Sequence, residues 1–176
     1  MASAITHFIV AASLALPAME SAALCRIMPR WAIPVTAGLF AVAPDLDTYL
    51  GIPHRGVVHS LALLIVLTTA AAFIAARGRT ALLLAAVWAG AAVTHPLLDM
   101  LTDGGRGVML FFPFSDERLF FPWRPIRVSP LSIMRFFPRA AEILRSEAPF
   151  DAAALVAGIL FHRLKRSSTA PPPTPE

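Results

Sequence analysis

An all-α integral membrane helical bundle is the fold class predicted by this sequence, on three observations. The chain of 176 residues is 57% hydrophobic and only 15% charged, with a mean hydropathy of +0.67, whereas soluble domains carry about 25% charged residues. Apolar runs recur along it, several near the roughly 17–20 residues that a helix needs to cross a bilayer. The basic residues, nearly all Arg, mostly flank those runs, as membrane-edge residues do. The length fits one domain, taken as residues 1–166, followed by a Ser/Thr/Pro-rich tail, 167–176, that has no means to pack and reads as disordered.

The elements follow in order. The first apolar segment runs from Ile5 to Leu24. Its Leu14-Ala15-Leu16-Pro17-Ala18 resembles a signal-peptide cleavage region, but no basic region precedes it, so it reads as a retained helix. The second, Trp31 to Ala43, reaches spanning length only from Ile27 with Arg30 at the interface. The third covers Val57 to Ala76 and the fourth Thr80 to Leu98. These make four transmembrane helices. A shorter fifth, Ala152 to Phe161, either inserts in part or lies at the interface. Between the fourth and fifth, Val108 to Phe114 and Phe120 to Pro125 mix Phe, Trp, Arg and Pro, a composition suited to the headgroup level. Leu131 to Leu144, interrupted by Pro138, reads as interfacial amphipathic helix. No internal repeat is present.

Composition also excludes functions. The net charge of +4 is modest and no basic stripe is interleaved with aromatics, so nucleic acid is not an expected partner. Cys25 is the sole cysteine, which leaves no intramolecular disulfide and no thiolate zinc site.

The chemistry lies at the ends of the apolar runs. His7 opens the first, Asp45 and Asp47 follow the second, His54 and His59 precede and open the third, and His95 and Asp99 end the fourth. Successive antiparallel crossings bring a start, an end, a start and an end to the same membrane face. Ionisable groups there are costly and mark function by default, and imidazole with carboxylate is a ligand set for divalent metal. His95 and Asp99, at i and i+4, share a helix face, although Pro96 disfavours helix at His95. Asp45 and Asp47, in a short loop after Pro44, repel each other unless a cation lies between them. Seven ligands exceed one tetrahedral site, so two ions are expected, zinc by preference, with manganese or iron as alternatives. His162, beside Arg163, Lys165 and Arg166, reads instead as an interface residue on the opposite side.

From Thr6-His7 to about Glu147 the chain resembles the membrane-bound metal-dependent hydrolases, bacterial inner-membrane proteins also described as LexA-regulated. The residues carrying the likeness are Thr6-His7, Pro44-Asp45-Leu46-Asp47, His54-Arg55-Gly56 through His59-Ser60, His95-Pro96-Leu97-Leu98-Asp99, Thr102-Asp103-Gly104-Gly105, Phe114 to Arg118, and Phe120 to Leu131. The loop from Asp47 to His54 is shorter than that pattern, and Val58 stands where Thr is usual. A weaker likeness, of site chemistry alone, is to zinc-dependent phospholipase C. The resemblance implies hydrolysis, for which a phosphoester in a lipid or lipid-linked substrate is the expected class. Asp45 or Asp47 would alternatively serve as base. Arg55, Arg118 and Arg124 are the candidates to hold phosphate, since Arg offers a planar fork. Arg124 reads equally as a headgroup anchor.

Two other classes compete. A metal transporter would use the same ligands, yet transport favours polar groups near the midplane, and these residues gather at one face. A metal that only staples helix ends is the third reading. The oligomeric state is not legible. The turns opposite the ligands carry Arg26, Arg30, Arg77 and Arg79, which the positive-inside rule places in the cytoplasm, so the ligands should face the periplasm.

Overall fold

The computed structural model describes residues 1–169, and the described residues form helices without a strand. Helix α1, Ala4–Ala15, begins where the Ser3 hydroxyl accepts the Thr6 amide at 3.3 Å, a side-chain N-cap. Pro17 then lacks the amide needed to continue, and a 3-10 turn, Leu16–Glu20, takes over. A short α2, Ala22–Cys25, leads to α3, Ala32–Val42. Pro44 stops α3 in the same way, and a 3-10 turn, Ala43–Thr48, follows. A third such turn, Val57–His59, precedes α4, Leu61–Ala75, whose cap is Ser60. Arg77 and Gly78, the latter at φ 57°, reverse the chain into α5, Gly78–Met100. A long segment then folds over the end of α5 before α6, Ile133–Phe136, and α7, Ala140–Thr169.

The bundle centres on α5, with α4 packed along it and α1 wedged between α3, α5 and α7. Small residues let the backbones approach: Ala11, Ala15, Ala37, Ala41 and Ala91 make one buried cluster. Where α7 crosses α1, a Cβ at Gly158 would collide with the Ser13 carbonyl, so only glycine fits. Larger side chains fill the end away from the histidines, where Leu24, Ile33, Leu84 and Trp88 pack together. There the Trp88 indole N–H donates to the Thr36 hydroxyl at 3.1 Å, and His162 sits against the Leu16 carbonyl at 3.2 Å and Glu20 at 3.7 Å.

Several expectations change. Among the described residues, one helix, Gly78–Met100, is long and apolar enough to cross a membrane by itself; Ala4–Glu20 and Leu61–Ala75 are apolar but shorter. The fifteen residues of α4 extend about 22 Å, short of the roughly 30 Å hydrocarbon core. The cause is local. Pro17 and Pro44 turn α-helix into 3-10 helix, and residues 57–59 form a turn that presents His59 instead of opening α4. The interfacial helix and fifth segment merge, because α7 runs through Pro149 to Thr169. Of the expected tail, 167–169 end α7 and 170–176 lie outside the described residues. The aromatic stretch after α5 is not wholly at the surface either: Val108 and Leu110 are buried with Met100, while Phe111, Phe114 and Trp123 are exposed.

The surface is strongly apolar. Leu39 on α3, Ile65, Val66, Leu67 and Ile74 on α4, and Leu155, Val156, Leu160 and Phe161 on α7 are all exposed. Apolar exposure on this scale is foreign to a water-facing monomer and suits a lipid-facing one.

Candidate metal centre

The structure brings all seven sequence-predicted ligand residues to one end of the bundle. The N-cap at Ser3 starts α1 early enough for His7 to lie one turn in, its Nε2 3.5 Å from Asp99 Oδ1. Its ring stacks on His95 with centroids 3.8 Å apart. Helix α5 continues through Pro96, so His95 and Asp99 stay one turn apart, with Nε2 to Oδ2 at 3.8 Å. Asp45 and Asp47 are carried by the 3-10 turn after Pro44, where an irregular loop was expected. Asp45 Oδ1 lies 3.4 Å from His95 Nε2 and 4.0 Å from Nε2 of both His54 and His59. Asp47 faces the other edge of those two rings, 3.0 Å from His54 Nδ1 and 3.5 Å from His59 Nδ1.

Hydrogen bonding leaves these atoms underused. Both ring nitrogens of His7 and His59, both carboxylate oxygens of Asp45, and Nε2 of His54 and His95 are buried with no hydrogen-bond partner. A buried polar atom left unpaired costs about 1–3 kcal/mol, and native proteins rarely gather several in one place. A cation among them removes that cost, so the donor set fits a divalent metal. Three groups have ligand atoms within 4.8 Å of one another: His7, His95 and Asp99; Asp45, His59 and His95; and Asp47, His54 and His59. The first and third share no residue, and Asp45 lies between them. The Ala41 carbonyl accepts from His95 Nδ1 at 2.7 Å, which turns the Nε2 lone pair inward, as outer partners of metal-binding histidines do.

Arg55 holds this arrangement from behind. Its side chain is 1% exposed, and its backbone adopts φ 58°, a strained value for a non-glycine residue. Nε donates to Asp99 Oδ2 at 3.0 Å, Nη1 to the Gly104 and Arg106 carbonyls at 3.1 and 2.9 Å, and Nη2 to the Thr102 hydroxyl at 2.7 Å. A Cβ at Gly105, which sits at φ 85°, would press within 3.2 Å of Nη1. The Thr102-Asp103-Gly104-Gly105 motif is therefore a cradle for the Arg55 guanidinium. Asp103 closes it from outside, accepting from the Val128 amide and the Arg127 guanidinium at 2.8 Å each. Burial alone would raise the Asp103 pKa, but these two donors outweigh it and hold the carboxyl below its ordinary value.

Of the other arginines read as phosphate ligands, Arg118 is half-buried and donates to the Arg55 and Gly107 carbonyls at 3.2 and 2.9 Å. Arg124 is exposed and lies 5.0 Å from the centroid of the Phe120 ring. Sequence reasoning missed Glu147. It is fully buried on α7, where it accepts from the Ser3 amide, from Ser3 Oγ at 2.6 Å and from Thr6 Oγ1 at 3.0 Å. Thr6 Oγ1 also lies 3.2 Å from Asp151, so α7 is tied to the start of α1 beside His7. The available signal was the i, i+4 pair Glu147 and Asp151 flanking an apolar run.

Access is one-sided. The His54 and Asp45 side chains are 19% and 11% exposed, whereas those of His7, Asp47, His59, His95 and Asp99 are at 0%. A cleft of about 490 Å³ opens at His54 and Arg55. Comparison with known proteins adds the cellular setting. Inner membrane protein YbcI of Escherichia coli (strain K12) is 39% identical over 122 residues, covering 62% of this chain and 70% of that protein. No solved structure matches the chain. Residues 1–168, which include every residue of the centre, match the family described as YdjM inner membrane protein, and the chain belongs to that family of inner membrane proteins.

Proposed function

We propose that the chain is a multi-pass, membrane-bound, metal-dependent hydrolase of a phosphoester in a lipid or lipid-linked substrate. The observation that carries the reading is the convergence of unpartnered imidazole nitrogens and Asp45 oxygens in one buried volume with a single opening. His7, His95 and Asp99 would hold one ion, and His54, His59 and Asp47 a second; Asp45 lies between the two groups. Divalent ions held there, zinc by ligand preference, would supply Lewis acidity and lower the pKa of a water.

The protein's own groups do the rest. Asp45, both of whose oxygens lack a hydrogen-bond partner, would take the proton of the attacking water. Arg55 orients Asp99 through its Nε donor, and the Ala41 carbonyl fixes the His95 tautomer. The buried walls exclude bulk water, and the apolar outer surface keeps the opening near lipid. Orientation follows the arginine distribution, with the centre toward the periplasm.

Metal analysis of protein purified without added chelator tests the reading. Close to two equivalents of transition metal per chain are expected, falling in His59→Ala and Asp99→Ala. A phosphoester hydrolysis screen should then show activity that is lost with a strong chelator and in His95→Ala. Metal-free protein of normal stability would overturn the proposal.

A further inference from the structure

The cleft that meets the centre at His54 and Arg55 carries two more arginines on its rim, Arg106 and Arg135. Both are exposed. Neither makes an ion pair among the described residues, while Arg30, Arg55, Arg127 and Arg139 all do. No Asp or Glu lines the cleft; Ser129 and Ser132 supply its other side-chain donors. A mouth that presents two unpaired guanidinium forks, two hydroxyls and no carboxylate is complementary to a phosphate group.

An apolar groove lies against the centre on the side of α4. This groove of about 280 Å³ between the Ala43–Thr48 turn and α4 ends at Asp47, and its walls are otherwise almost wholly apolar, with Phe40, Leu46, Leu50 and Leu67 among them. Leu46, Leu50 and Leu67 are exposed at its edge. Asp47 in the wall of the groove lies 3.0 Å from His54 in the wall of the cleft. The cleft is cationic and the groove apolar, and the Asp47–His54 pair of the candidate centre lies between them.

We infer that Arg106 and Arg135 are the phosphate-binding residues of this centre, and that the substrate is an anionic phospholipid, its phosphate in the arginine mouth and an acyl chain in the groove at Asp47. The inference rests on the metal-dependent phosphoester reading and deepens it. It also moves the phosphate-binding role from Arg55 and Arg118, whose guanidinium donors already serve protein carbonyls, hydroxyl and carboxylate. Replacing the Arg106 side chain leaves its carbonyl bond to Arg55 in place.

The test is binding, measured apart from turnover. The metal-loaded full chain, in neutral detergent, is titrated with fluorescent phosphatidate, and unlabelled phosphatidate, diacylglycerol and inorganic phosphate compete. Phosphatidate should compete at least about tenfold better than either of the others, as expected when charge-assisted hydrogen bonds and apolar burial both contribute. R106Q/R135Q should weaken phosphatidate and inorganic phosphate by about tenfold or more, with metal content and melting temperature unchanged. Leu50→Asp should weaken phosphatidate and spare inorganic phosphate. Arg79→Gln, which removes an exposed charge at the opposite end of the bundle, should shift affinity by about twofold at most. Unchanged phosphatidate affinity in R106Q/R135Q would overturn the inference, as would inorganic phosphate competing as well as phosphatidate. Binding as expected with no hydrolysis of any phosphoester would sink the catalytic reading alone; hydrolysis whose KM ignores R106Q/R135Q would sink this one alone.

Discussion

Replacing Arg55 by Met separates a positioning role from a substrate-binding one. Arg55 is 1% exposed and neutralises Asp99, which is itself at 0%. Met fills a similar volume but makes none of the four hydrogen bonds to Asp99, Thr102, Gly104 and Arg106. Removing one partner of a buried ion pair costs about 3–5 kcal/mol, because the other charge is left uncompensated. For a chain of this size that is a loss on the order of 10 °C in melting temperature. Asp99 also loses its orientation, so metal content should fall alongside. Arg55→Lys restores the charge but cannot form the planar fork, and should recover only part of both losses. Differential scanning fluorimetry in detergent, with metal content measured on the same samples, provides the readout. Were Arg55 a substrate clamp, as the sequence suggested, Arg55→Met would melt normally, keep its metal and raise KM alone. That result would refute the argument from the cradle.

Other outcomes follow from the same geometry. Chelation should lower the melting temperature by several degrees, since the metal-free centre leaves Asp45 and its unpaired neighbours buried without a cation, and a ligand at about 1,000 times its Kd contributes about 4 kcal/mol; an unchanged melt would count against a metal in the folded state. Glu147→Gln should cost about 1–3 kcal/mol, because an amide cannot accept from the Ser3 amide and both hydroxyls as the carboxylate does; stability equal to the parent would contradict the α1–α7 tie. Asp103, its pKa lowered by Arg127 and Val128, contributes stability that is present above the ordinary carboxylate value near pH 4 and is lost as pH falls through its lower folded value. Asp103→Asn should therefore lower the melting temperature at neutral pH, with the difference shrinking in acid. In a Cys25→Ser background, a cysteine at Arg79 should resist an impermeant thiol reagent applied outside intact cells; labelling there would reverse the proposed orientation.

The candidate centre was legible because its chemistry is rare in its surroundings. Histidine and aspartate at the ends of apolar runs have few reasons to be there, and alternation of antiparallel helices assigns those ends to one face before any distance is known. Helix lengths were less legible, because hydropathy does not register a change from α to 3-10 geometry. Pro17 and Pro44 leave the runs apolar while ending the α-helices. Nor does hydropathy show that α7 passes through Pro149, since Glu147 and Asp151 lower the apolarity of the stretch while anchoring it to Ser3 and Thr6.

The arginines mark the limit most clearly. In the sequence Arg55, Arg106, Arg118 and Arg135 are equivalent charges near a ligand cluster, and closeness to His54 favours Arg55 as the phosphate residue. What distinguishes them is which acceptors already face each guanidinium. Arg55 is enclosed by the Gly104 and Arg106 carbonyls, which come close only because Gly105 lacks a side chain, and Arg118 is held by the carbonyls of Arg55 and Gly107. An arginine whose donors serve its own backbone sets geometry; one on an acid-free rim, with its donors open, is available to a ligand. By that criterion the residues nearest the metal ligands in sequence build the centre, and Arg106 and Arg135 recognise what enters it.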